Sequence, residues 1–185
     1  MLTAVLLLLL APAARAETCL ARVAAQTTAL RASFPALDGL TLVLETFDSR
    51  EDFYRAWPRS AWRAPRDRTY AVRVNMKVCD DPPPPDAEKA ILAHELAHLR
   101  AYSAMGQAEL LRLGWEYLIR PGGKTVEAAE KEADDAAVEL GHAPGLAAYR
   151  EWLYARVPPE AAARKRKLYR TAEELRRLDT APAVR

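Results

Sequence analysis

Apolar positions recur along this chain with two different periods, and the places where the period changes divide it into elements. From Glu17 to about Phe34, Leu20, Val23, Ala24, Thr27 and Leu30 return at intervals of three and four, one face of an amphipathic helix that Pro35 ends. After the turn signal Asp38-Gly39, the run Leu40 to Phe47 is rich in strand formers. Asp48 or Ser49 is then placed to cap a short helix through Trp57, followed by an irregular stretch with Pro58 and Pro65. Tyr70 to Val78 alternates apolar and polar residues with period two, which predicts a half-buried strand whose other face meets solvent or a partner.

Past this strand the pattern turns helical. Asp81 and Pro82 to Pro85 form a stiff connector, and Asp86 is read as the cap of the next helix. Helices are expected over 86–105, 108–119, 125–140, 146–157 and 160–178, separated by Gly106, Pro121-Gly122-Gly123, Gly141 to Gly145 and Pro158-Pro159. Four early elements, two of them strands, followed by a helical remainder predict an α+β fold, with a small sheet packed beside the first of these helices.

The extreme N-terminus follows a different rule. Leu2 to Leu10 is almost wholly apolar and leads into Ala11-Pro12-Ala13-Ala14-Arg15-Ala16, the pattern of a signal peptide cleaved after Ala16. The segment before it carries no Lys or Arg, so an uncleaved anchor is the alternative. A lipoprotein signal at Cys19 is disfavoured by Glu17 and Thr18, where small residues would be needed. The expected mature chain, 17–185, is read as one exported domain with no membrane span and with its functional core at about 40–157. Losing Arg15 takes the formal net charge from +2 to +1, a balance that gives no reason to expect nucleic acid as a partner. Cys19 and Cys79 are the two cysteines; an exported chain can join them, and two free thiols are the alternative.

The candidate chemistry lies in the helix over 86–105. His94 and His98 are four apart, hence about 40° apart around the axis and one turn along it, so both can reach one metal ion. Glu95 falls about 60° from His98, near enough to act on a water at that ion without being a ligand. Two imidazoles holding Zn²⁺, with a carboxylate to take a proton from water, are what zinc-dependent hydrolysis requires. This helix is apolar on two sides and should be buried, which leaves its polar groups in need of partners.

A catalytic zinc takes a third protein ligand. On the helix over 125–140, Glu130 shares the apolar face with Val126, Ala133 and Ala137, whereas Glu132, Asp135 and Glu139 lie opposite. Glu130 is therefore the expected ligand and Glu127 the less favoured substitute. Asp134, one turn further on, can support a metal-bound histidine by accepting its second N–H. His142, the remaining histidine, is twelve residues and about 18 Å of helical rise beyond Glu130, too far to share its ion.

The run Leu92-Ala93-His94-Glu95-Leu96-Ala97-His98, paired with Glu130-Lys131-Glu132-Ala133-Asp134, resembles the gluzincin zinc peptidases, in particular short soluble relatives of the HtpX-type and CAAX prenyl protease-like enzymes. The resemblance covers roughly Ala87 to Tyr149. It implies a zincin-like fold, one Zn²⁺ bound by His94, His98 and Glu130, Glu95 as general base, and a protein or peptide substrate. The later His-Pro element frequent in that family has no counterpart here, since no histidine follows His142. Tyr149, Tyr154, Tyr169 and Arg170 are left as candidates to stabilise the transition state. The alternative function is a zinc-stabilised binding or assembly protein of the cell envelope, non-catalytic or latent, with the C-terminal helices over its cleft. The chain says nothing about oligomeric state. Arg164-Lys165-Arg166-Lys167 is expected to be a solvated helix face, and Trp57, Trp62, Trp115 and Trp152 are expected in the core or a groove.

Overall fold

The computed structural model describes residues 3–180, with side chains from 16 to 179. Most of the 1–16 segment read as a signal peptide lies outside the described side chains. In chain order the elements are α1 (Thr3–Arg31), β1 (Thr41–Phe47), β2 (Tyr54–Arg59), β3 (Thr69–Asn75), α2 (Lys77–Asp80), α3 (Pro85–Ala104), α4 (Gln107–Ile119), α5 (Lys124–Glu139), α6 (Ala143–Tyr154), α7 (Pro159–Leu168) and α8 (Ala172–Thr180). The fold is α+β: a three-stranded mixed sheet packs against a mainly helical C-terminal region. Among the described residues no helix is long and apolar enough to cross a membrane.

The sheet departs from expectation in two places. The segment expected to be helical through Trp57 instead forms β2, an edge strand antiparallel to β3, while β1 lies parallel on β3's other side. Ser49 does cap a turn, accepting from the backbone N–H of Glu51 and Asp52. That turn cannot grow into a helix, because the Asn75 side-chain amide donates to the carbonyls of Ser49 and Asp52, which a helix would need. The predicted strand over 70–78 also stops at Asn75, whose Oδ1 accepts from the N–H of Lys77 and starts the short α2. As the central strand, β3 is mostly buried. Its outward Arg73 pairs with Glu45 and lies over the rings of Phe47 and Trp57, so neighbouring strands cover the face expected to meet solvent.

Helix α3 runs through the middle of the molecule, against α1, α5, α6 and the sheet. Pro84, not Asp86, caps it, with Pro85 at the first helical position and Asp86 in the first turn. Near its start Glu88, 2% exposed, accepts from Tyr54 Oη (2.7 Å), from two Arg22 nitrogens (2.8 and 2.9 Å) and from Gln26 (3.1 Å). At its end the buried Arg68 donates to the carbonyls of Tyr102 and of the C-cap Met105. Gly145 lets α6 cross closely: a Cβ there would stand 2.4 Å from the Asp86 carbonyl oxygen and 2.8 Å from Ala90 Cβ.

The last predicted helix is two, α7 and α8, separated at Tyr169 to Thr171. A capping box in the sequence marks the second start: the Thr171 hydroxyl accepts from the Glu174 N–H, and the Glu174 carboxylate accepts from the Thr171 N–H. Of the tryptophans, expected in the core or a groove, Trp152 is buried in the core and Trp57, Trp62 and Trp115 are exposed outside it.

Cys19 and Cys79 form a disulfide with Cα atoms 5.5 Å apart, tying α1 to α2 just before α3. The bridge spans 60 residues of chain, a loop whose closure limits the unfolded ensemble by about 4 kcal/mol. Replacing both cysteines by serine should lower unfolding stability by roughly that amount in urea titrations, without changing the folded circular dichroism spectrum.

Candidate metal centre

The structure brings His94, His98 and Glu130 together at the crossing of α3 and α5. Each is buried, at 1%, 5% and 6% exposure, and one donor atom from each lies within 4.8 Å of the others. The Nε2 atoms of the histidines are 3.1 Å apart, and Glu130 Oε2 is 3.3 Å from His94 Nε2 and 3.1 Å from His98 Nε2. Tetrahedral ligands on arms of about 2.0–2.1 Å would be separated by roughly 3.3 Å, so the cluster has the span of a small-ion site with a few tenths of an ångström to open. Two imidazoles and one carboxylate also suit Zn²⁺ chemically.

The groups behind the cluster fix its orientation. Asp134, fully buried, accepts from His94 Nδ1 at 2.8 Å, from the Arg150 guanidinium at 2.6 Å and from the Arg170 backbone N–H at 2.9 Å. With Nδ1 carrying the proton to Asp134, His94 turns its Nε2 lone pair to the centre. Tyr117 of α4 donates to Glu130 Oε1 at 2.8 Å, leaving Oε2 for the centre, and Tyr102 stacks on the His98 ring. Glu95 is placed by the sheet: its Oε2 accepts from the Ala56 N–H of edge strand β2 at 2.5 Å.

The electrostatics follow from this burial. Desolvation alone would lower the His94 pKa, but hydrogen bonds to Asp134 and Glu130 outweigh it and bring it to about 9 in the metal-free cluster. Burial pushes Glu130 up, and the two histidines more than reverse this, holding it well below the usual carboxylate range. Burial likewise raises Asp134, and Arg150 with His94 overcomes it. For Glu95 burial wins over the neighbouring histidines and its pKa is raised. The centre thus pairs one ionised carboxylate with a second that holds a proton more readily, which suits a ligand and a base respectively.

The remaining candidates separate clearly. Glu127 pairs with Lys131 at 2.6 Å and is outside the cluster. His142 lies in a surface groove with Asp86 and Lys89, also outside it. Arg170 is committed to Asp135 through two hydrogen bonds. Tyr154 sits under Arg166 with its hydroxyl buried and without a hydrogen-bond partner among the described residues. Tyr149 and Tyr169 line a small cavity of about 20 Å³ with His94, Glu95, Asp52 and Lys165. Lys165 is the member of the basic run that is not a solvated face: it is 8% exposed and donates to Asp52 at 2.6 Å.

Sequence reading missed Arg150, Tyr117 and the Asp52–Lys165 pair. Only Arg150 left a signal, as a cation directly after the apolar stretch Leu146 to Tyr149.

Two outcomes test this description. Asp134→Asn should weaken zinc affinity about 10–100-fold in competition with a chromophoric chelator, while Asp135→Asn should not. Burial raises the Asp52 pKa, but Lys165 and Arg55 outweigh it and hold the carboxyl below its ordinary value. A depressed folded pKa contributes stability that is present above the unfolded value of about 3.9 and is lost as pH falls through the folded value. Asp52→Asn should therefore show a smaller difference than wild type between urea midpoints at pH 7 and pH 3.

No family model, curated protein or solved structure matches this chain, so the metal centre stands on its own geometry.

Proposed function

We propose that this chain is an exported, zinc-dependent peptidase of zincin-like build, with His94, His98 and Glu130 as zinc ligands and Glu95 as general base. The observation that carries the reading is the convergence of His94 Nε2, His98 Nε2 and Glu130 Oε2, with Glu95 on the same helix held by the edge of a strand. When bound, zinc would supply a Lewis acid for a peptide carbonyl and make water a stronger acid. Glu95 takes one proton from the attacking water and returns it to the leaving nitrogen; its raised pKa suits both halves of that transfer. Asp134 and Arg150 keep His94 in one tautomer and orientation. Strand β2, at the sheet edge beside Glu95, is placed to align an extended peptide, the role expected of an edge strand. The disulfide is consistent with an oxidising compartment and so with export.

A second reading, a latent or non-catalytic zinc protein of the envelope, is favoured by the closed state of the centre. The ligands and Glu95 are at most 6% exposed, and the cavity beside them, about 20 Å³, has room for about one water.

Glu95→Gln separates the two readings. On the peptidase reading it retains one zinc per chain and its thermal stability, while cleavage of fluorescein-labelled casein falls at least ~10²-fold. Zinc-loaded wild type that cleaves neither casein nor a random peptide library would favour the second reading.

A further inference from the structure

The chain breaks between α7 and α8 where the sequence pattern would continue as helix, and the break sets one side chain against the centre. Arg170 leaves helical geometry to donate its backbone N–H to Asp134, and its guanidinium is drawn to Asp135. Four residues before Tyr169, Lys165 is fastened to Asp52 on the loop before β2. Tyr169 is held between these two anchors. Its ring lies 5.9 Å from that of His94, with the Arg150 guanidinium 4.2 Å and Lys165 Nζ 5.6 Å from its centroid. It is half-buried and lines the cavity beside Glu95, and its hydroxyl makes no hydrogen bond among the described residues.

The other tyrosines nearby are differently placed. Tyr117 spends its proton on Glu130, and Tyr102 lies flat against His98. Tyr149 lines the same cavity but is 3% exposed, its ring is packed against Tyr54 and Trp152, and among the described residues it makes no ring contact to either histidine of the centre.

Resting on the peptidase reading, we propose that Tyr169 is a further catalytic residue, its phenolic O–H donating to the scissile carbonyl oxygen as that oxygen gains negative charge. The water oxygen bonds to the carbonyl carbon, the C–N bond breaks, and Glu95 carries one proton from the water to the nitrogen. Tyr169 keeps its own proton throughout. The Arg150 guanidinium and the Lys165 ammonium, each paired with a carboxylate, lie against its ring and hold it beside the centre. The segment from Pro159 onward thereby completes the site, in contrast to an inhibitory cover that could be removed without loss.

Tyr169→Phe removes the hydroxyl and keeps the ring. It should bind one zinc and melt with wild type. On a quenched peptide spanning the best-cleaved casein site, kcat should fall about 10²-fold with KM within about twofold. Affinity for a phosphinic pseudopeptide of the same sequence, read by calorimetry without turnover, should fall by a similar factor. Affinity for the uncleaved peptide, measured in Glu95→Gln with and without Tyr169→Phe, should not change. The assignment is overturned if Tyr169→Phe stays within threefold of wild type in kcat and pseudopeptide affinity, or if it loses zinc or stability to the same extent as activity. A zinc-loaded wild type that neither cleaves casein nor binds phosphinic pseudopeptides would bring down the peptidase reading, and this assignment with it.

Discussion

Asp134 is a carboxylate with no exposure to solvent, and ionised groups are not stable in such a place without partners. Its partners come from three parts of the chain: His94 on α3, Arg150 on α6 and the Arg170 N–H between α7 and α8. Asp134 itself is on α5. One buried charge therefore fixes how four segments meet, and loss of any partner would leave another group unpaired in a region of low dielectric. The orientation of His94, the crossing of α3 and α5, and the end of α7 all follow from meeting that requirement.

Helix α3 carries a related constraint. It is surrounded by apolar neighbours for most of its length, yet includes Glu88, His94, Glu95 and His98. Each of these groups is matched by a partner from elsewhere: Arg22, Gln26 and Tyr54 for Glu88, Asp134 for His94, the Ala56 N–H for Glu95, and Glu130 for His98. The sheet is small, but β2 contributes twice to this list, through the Tyr54 hydroxyl and the Ala56 amide. A helix in the place of β2 would have consumed that amide internally.

What was readable in the sequence had a local cause. The four-residue spacing of His94 and His98 and the position of Glu130 on the apolar face of α5 are properties of single helices, whose geometry follows from chain spacing alone. The strands at Thr41–Phe47 and Thr69–Asn75 were readable from β-branched composition and alternation, and helices α3 to α6 from their punctuation by glycine and proline. Strand β2 was not: a plausible cap at Asp48 or Ser49 pointed to a helix, and side chains more than twenty residues away, Asn75 and Lys77, take the carbonyls that helix would use.

By itself, then, the sequence determined the α+β class, the metal-binding pattern and which carboxylate on α5 faces inward, because periodicity states which side of an element must be buried. Tertiary structure alone decided that Cys19 meets Cys79 and that Arg150 neutralises Asp134. Those pairings join residues far apart in the chain or on different elements. Periodicity carries no information about which buried face meets which, and the need to match each buried charge settles that only once the elements have packed.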